Sequence, residues 1–376
     1  MDGHELRQST GHLKQTNVCQ CGTCANSARH VQKKTTTMKT THTLNSLHLL
    51  VTAIFSFTCV MATAQELAIS RNTNHVTLTW STNYPDFILE STGSLTSSWT
   101  NVADATNGAA TLPMVSSNQF FRLKETVSVT YVANEGFLIS GRGKKVLVDG
   151  IFYNGYGYYQ IPTAEVLDQE TNALPPFDNL NALLVSHKHG DHVDGRYTFQ
   201  HMTNDPTAVL VTSSPVINTL RSAAGSRFLL ITNRIIEVGP TNGTSTNVLV
   251  GDMSFKVVGL PHDDQPETYN EGYLFNLGGL KFFHTGDFAS TNLVDYQVLD
   301  LASEQIDVLF LGWFIFLTPE RAQEVIAYLN PKSIFVMHVE AALSTEYYQG
   351  LINALTNLPP VYLMNTQMTT IRLPAK

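Results

Sequence analysis

Three histidines and an aspartate fall within six residues, His187-Lys188-His189-Gly190-Asp191-His192, directly after the apolar run Asn181-Ala-Leu-Leu-Val185. A short continuous apolar run reads as a buried strand. The loop leaving its carboxyl end therefore carries several imidazoles away from one fixed point. Extended backbone turns residues i and i+2 to the same side, so His187 and His189 can converge on one ion. Asp191 and His192 can face a second ion on the next turn. A solvated polar loop would account for one histidine, but not for three with an aspartate, flanked by Gly190 and Gly195. Only eight of the thirteen histidines lie beyond residue 64, which sharpens the clustering. Nitrogen and carboxylate donors suit zinc, and also manganese or iron.

The rest of this region reads as strands with intervening helices. Strands are expected at 127–132, 136–140, 145–149, 181–185, 208–212, 247–250, 255–258, 273–276, 281–283, 308–311 and 333–337, from apolar runs and alternation. Helices are expected near 215–224, 319–329 and 345–358. Between 150 and 180 the chain reads as a long loop containing Tyr153-Asn-Gly-Tyr-Gly-Tyr-Tyr159. This mixture argues for α/β layers with helices outside the sheets.

Residues 65–125 differ. Short alternating runs, such as His75-Val-Thr-Leu-Thr-Trp80 and Phe87-Ile-Leu-Glu90, are separated by Asn, Gly, Ser, Thr and Pro, and no His, Asp or Glu cluster occurs. The pattern predicts a small all-β sandwich, loosely similar to the fibronectin-III-like modules of secreted bacterial enzymes. Carbohydrate or surface binding is open to it.

Ahead of this, residues 38–64 read as a signal peptide. Lys39 opens a polar stretch, residues 49–60 are mostly apolar, and Met61-Ala-Thr-Ala64 supplies an Ala-x-Ala cleavage site. Export to the periplasm or beyond, with cleavage near Ala64, is the expectation. Residues 1–37 read as a disordered leader or an overlong start. Their Cys19-x-Cys21-x-x-Cys24 lacks a matching second pair, which argues against a zinc site. All four cysteines precede Ala64, so the remainder needs no disulfides. Losing residues 1–64 takes the net charge from -8 to -12. An acidic surface repels phosphate backbones and disfavours nucleic acid as a partner. No apolar run is long enough to span a membrane. The oligomeric state is left open.

The histidine-rich segment resembles that of the metallo-β-lactamase superfamily, and further motifs follow in that family's order: Leu147-Val-Asp149-Gly, Pro261-His262-Asp263, Thr285-Gly286-Asp287 and Val336-Met337-His338. The resemblance spans roughly residues 127–372. It implies a four-layer αββα sandwich over residues 126–376. It also implies two divalent ions, one held by His187, His189 and His262, the other by Asp191, His192 and His338, with Asp287 bridging. Asp149 would orient metal-bound histidines from behind. His284 would either do the same or touch substrate. Asp263 and Asp264 read as a solvated turn, and His201 and His75 as structural or surface residues.

Two ions at bridging distance acidify a shared water, giving hydroxide near neutral pH for attack on an ester, lactone or phosphodiester. Asp287 would bridge and Asp191 would shuttle the proton. The run from Glu271 to Asp287, with Ile306-Asp-Val-Leu-Phe-Leu and Asn330-Pro-Lys-Ser-Ile-Phe-Val-Met-His338, resembles the ascorbate-6-phosphate lactonase-like hydrolases and the phospholipase-D-type enzymes acting on N-acyl phosphatidylethanolamine. Small-molecule, sugar or lipid substrates follow from that likeness, and the tyrosines of 153–159 could line their pocket or simply pack over a sheet edge. The alternatives are a noncatalytic metal-binding surface protein and a metallo-nuclease. The complete ligand set speaks against the first. Acidity and the short Asp287 to His338 spacing speak against the second.

Overall fold

The structure, a computed structural model, describes residues 67–72, 74–81, 86–102, 105, 108–115, 118–262 and 269–376. The leader, the signal segment with its Ala64 site, and Asp263 and Asp264 lie outside the described residues.

Two large sheets face each other. One has nine strands. Five of them, Phe120–Tyr131, Phe137–Gly141, Lys144–Val148, Ala182–Val185 and Val209–Ser213, run in chain order across its middle. The other has seven strands, among them Met253–Pro261, Tyr269–Leu277, Leu280–His284, Val308–Gly312 and Ser333–Met337. Period-2 alternation explains how both faces of each sheet are covered. In the first sheet Leu184 points into the core between the sheets, while Leu183 packs outward beneath helices α1 (Ala164–Thr171), α2 (Gly195–Asn204) and α3 (Ser214–Ala224). In the second, Phe282 and Phe310 point inward. Phe283 and Leu309 pack outward against α4 (Leu293–Gln297), α5 (Pro319–Leu329) and α6 (Thr345–Asn353). Such strands are apolar on both faces, which is why they read as continuous runs. The result is helix, sheet, sheet, helix, a sheet-rich α/β fold consistent with the expected αββα sandwich.

Several local expectations need correction. The stretch 150–180 holds a helix, α1, capped by Thr163, whose side chain accepts from the Val166 N–H. Its burial rests on Val166 and Leu167 alone among apolar residues, too few to show periodicity. Helix α2 is also absent from the sequence reading, although Asp194 caps it by accepting from Arg196 and Tyr197 N–H groups. Helix α6 ends at Asn353 rather than 358.

The N-terminal β region differs from the expected module. Strands Ala68–Arg71, His75–Thr79 and Ala109–Pro113 form a separate three-stranded sheet. Strand Phe87–Thr92 pairs instead with the first half of Phe120–Tyr131, whose second half pairs with Phe137–Gly141 and Thr370–Pro374. One strand thus runs through the boundary expected at residue 125. A seven-stranded fibronectin-III-like sandwich is not formed among the described residues. The local core is small, centred on Leu78, Leu89 and Ala110.

Candidate metal centre

Five strand ends deliver the polar residues to one place. Asp149 follows Lys144–Val148, and Ser186 and His187 follow Ala182–Val185, its parallel neighbour. In the second sheet His262 follows Met253–Pro261, Asp287 lies three residues past the end of Leu280–His284, and His338 follows Ser333–Met337. Side chains leaving the carboxyl ends of strands gather in the crevice at the sheet edge, where open α/β folds place their ligands.

The seven residues expected to hold ions are brought together in two groups. Ligand atoms of His187, His189, His262 and Asp287 lie within 4.8 Å of one another, as do those of Asp191, His192 and His338. Asp287 joins the groups: its Oδ2 lies 3.5 Å from His187 Nε2, 3.5 Å from His192 Nε2 and 3.2 Å from His262 Nε2, and its Oδ1 lies 3.0 Å from His338 Nε2. Asp191 Oδ2 is 3.4 Å from His338 Nε2. His187, His192 and His338 are buried, while His189 and Asp287 are only partly so and mark the opening.

The back of the site is wired. Asp149 accepts from the Ser186 N–H at 2.7 Å and the Ser186 hydroxyl at 2.6 Å, and lies 3.1 Å from His192 Nδ1. Ser186 Oγ is also 3.0 Å from His187 Nδ1. These contacts turn both Nε2 atoms inward, the orienting role expected of Asp149, with Ser186 as an intermediary. His284 uses both ring nitrogens structurally. Nε2 sits 2.9 Å from the Glu135 carbonyl and Nδ1 accepts from the Gly286 N–H at 3.2 Å. It braces the two turns beside Asp287. Asn270 adds a further brace, accepting from the Asp287 N–H at 3.1 Å. Gly286 has φ +55°, and a Cβ there would run into Asn270 Oδ1 and Ser186. Asn134, Asp149 and His338 adopt φ of 47°, 44° and 62°. Non-glycine residues in this region are strained by on the order of 1–3 kcal/mol each, and such strain concentrates at functional sites.

Electrostatics separate the histidines. Burial and the neighbouring His192 hold His187 well below the ordinary imidazole range. At His338, Asp287 and Asp191 outweigh burial and push the imidazole up to about 10. Asp287 and Asp191 likewise outweigh burial at His192, which is raised. Burial opposes ionisation of Asp287, but His338 and His192 hold it well below the carboxylate range.

Sequence reasoning missed two participants, Glu135 and Asn134, and left Tyr159 open as a pocket-lining or packing residue. Glu135 is fully buried beside His192, Asp287 and His338; burial and then Asp287 push its carboxyl well up. Asn134 donates from Nδ2 to the Asp191 carbonyl and carboxylate at 3.2 and 3.3 Å. Tyr159 meets His338 edge-on, with ring centroids 4.2 Å apart.

The residues present fit metal ions. Nε2 of His187, His192 and His338 and Oδ1 of Asp287 are buried without a hydrogen bond. Five imidazoles and two carboxylates converge here, and the orphaned atoms of His187, His192, His338 and Asp287 would be costly unless cations satisfy them.

Residues 128–338, more than half of the chain, match the family described as "Beta-lactamase superfamily domain". The chain belongs to the beta-lactamase superfamily. It is a metallo-hydrolase-fold member with His/Asp groups suited to divalent ions. Comparison with curated proteins found no sequence match. Among solved structures, similarity is found to Igni18, a metallo hydrolase from the archaeon Ignicoccus hospitalis, at 17% identity and TM-score 0.48, covering 67% of this chain and 100% of that one. The diiron beta-hydroxylase CmlA from Streptomyces venezuelae is similar at 15% identity and TM-score 0.46, over 68% of this chain and 55% of CmlA. An isothiocyanate hydrolase from Delia radicum gut bacteria is similar at 13% identity and TM-score 0.45, over 66% of this chain and 100% of that one. Among the described residues, no helix is long and apolar enough to cross a membrane.

Proposed function

We propose that the chain is a two-metal hydrolase that cleaves an ester, lactone or phosphodiester bond in a small-molecule, sugar or lipid substrate. The observation that carries this is the pair of facing groups, joined by Asp287, in which the buried Nε2 atoms of His187, His192 and His338 and Oδ1 of Asp287 lack hydrogen bonds. In this reading His187, His189 and His262 hold one ion, Asp191, His192 and His338 the other, and Asp287 both. When bound, the ions supply Lewis acidity toward a carbonyl or phosphoryl oxygen and acidify water to near neutral pH.

The chain's own residues do the rest. Asp149 and Ser186 fix the tautomers of His192 and His187. Asp191 stays anionic because His192 and His338 outweigh its burial, so its carboxylate can take a proton and return it to the leaving group. Asn134 holds that carboxylate in place. Tyr159, half-buried, keeps its phenol proton because burial and the charges of Asp287 and Asp191 oppose ionisation. It offers an O–H donor to a substrate oxygen. Tyr156 receives the Gly190 N–H on its hydroxyl at 2.9 Å, which ties the tyrosine-rich segment to the histidine loop. Tyr153, Tyr156 and Tyr158 are exposed, a rim able to stack on sugars or lipid chains.

The lactone option draws support from the likeness of 271–287 to lactonase-like hydrolases. Metal-loaded protein starting at Gln65 is expected to hydrolyse members of a panel of lactones, phosphodiesters and β-lactams. Inertness on the whole panel, with His189→Ala changing neither metal content nor stability, contradicts the reading. Export belongs to the same proposal, supported by the apolar 49–60 segment and Met61-Ala-Thr-Ala64. N-terminal sequencing of protein from its native host should start at Gln65, and a cytoplasmic protein starting at Met1 or Met38 contradicts it.

A further inference from the structure

We propose that Glu135 is an additional carboxylate ligand of the second ion, the one held by Asp191, His192 and His338. This rests on the two-ion reading above. Glu135 lies in the turn between strands Phe120–Tyr131 and Phe137–Gly141 and is fully buried. Both carboxyl oxygens lack a hydrogen-bond partner. A carboxyl oxygen of Glu135 falls within 4.8 Å of ligand atoms from Asp287 and His338, and likewise of Asp149 and His192. Its Oε2 is 3.7 Å from His192 Nδ1, a ring atom that Asp149 approaches more closely.

A buried carboxylate facing two others, with no donor, is a costly arrangement. A cation between Glu135, Asp287 and His338 removes that cost. The turn is also held in register with the centre. Its Glu135 carbonyl sits against His284 Nε2, its Asn134 carbonyl accepts from the His338 N–H at 3.2 Å, and its Asn134 amide holds Asp191.

The proposal makes the two ions unlike. The first has three imidazoles and Asp287. The second gains a third carboxylate beside Asp191 and Asp287, against two imidazoles. Oxygen-rich sets suit manganese better, relative to zinc, than nitrogen-rich ones.

The test titrates metal-free full-length protein with Mn²⁺ alone, reading stoichiometry after desalting and affinity by calorimetry, with the Mn²⁺ EPR spectrum as an independent readout. Wild type should bind two ions. Glu135→Gln, which keeps the volume and one donor, should lose one ion or weaken one site at least tenfold. Zn²⁺ binding at the other site should stay unchanged, and Glu135→Asp should fall between. Circular dichroism of the metal-free variants checks folding, and if Glu135→Gln does not fold, Glu135→Asp is judged by the same criterion. Two ions bound by Glu135→Gln with wild-type affinity overturn the proposal alone. Wild type binding no ion overturns the two-ion reading and this inference together.

Discussion

Among the described residues, two buried polar clusters contain histidine and carboxylate, and one of them reads as a metal centre. The second lies under the first sheet's helices. Glu170 on α1 and His201 on α2 are both fully buried, with His201 Nδ1 at 2.5 Å from the Glu170 carbonyl and Nε2 3.9 Å from Asp205. Here too the Glu170 carboxyl oxygens and His201 Nε2 lack hydrogen bonds. Yet these residues join no group of three or more convergent ligand atoms among the described residues. Asp205 is consumed by the N–H groups of Leu180 and Thr207. Burial and orphaned atoms alone therefore do not make a site. Convergence does, and it comes from five strand ends rather than from two packed helices. The two clusters also stay uncharged or charged for different reasons. Burial raises Glu170 and lowers His201, disfavouring the charged form of each. At the metal centre opposite charges outweigh burial at His192, His338 and Asp287.

Substitutions can break or sharpen this contrast. The largest effect is expected from Asp149→Asn, which leaves His192 Nδ1 without its carboxylate. Metal affinity should fall roughly 10–100-fold, measured by competition with a chromophoric chelator. An unchanged affinity would sever Asp149 from the ligands. Next, Tyr159→Phe should lower kcat by roughly tenfold or more with two ions still bound, since it removes one donor aimed at a developing negative oxygen. Loss of metal instead would make Tyr159 a packing residue of His338. The smallest effect is expected from Glu170→Gln, which should leave metal content and activity alone and change only stability. Glu170 has a folded-state pKa raised above its ordinary 4.5. The folded state then binds more protons than the unfolded one, so stability is full below about 4.5 and falls as pH rises above it. The variant should flatten that fall, read as the slope of Tm against pH. A slope identical to wild type would show that Glu170 ionises freely in the folded chain.

Much of the centre was legible in sequence because its donors sit next to strand ends. Apolar runs mark the strands, and the polar residues just past each run are the ones delivered: Asp149 after Val146-Leu-Val, Ser186 and His187 after Ala182-Leu-Leu-Val, His338 after Ile334-Phe-Val-Met. Glu135 was not legible, because it belongs to no motif and its role depends on two sheets meeting. The continuity of Phe120–Tyr131 escaped for a related reason. Its first half, Phe-Phe-Arg-Leu-Lys-Glu, alternates like a half-exposed strand, and its second half is buried on both faces, so one strand reads as two. Helix α2 starts at a glycine because α2 and α3 pack closely: a Cβ on Gly195 would meet the Thr219 carbonyl. A glycine opening hides a helix from propensity. The edge strand Ile235–Val238 is short and carries little pattern.

The central claim is that Asp287 joins two groups of ligands into one two-ion centre. Metal stoichiometry by mass spectrometry, on wild type and Asp287→Ala after loading with zinc and desalting, tests it most directly. The account predicts two ions per chain in wild type and one or none in the variant, with both proteins folded by circular dichroism. Equal zinc content in the two proteins, or none in wild type, would contradict it.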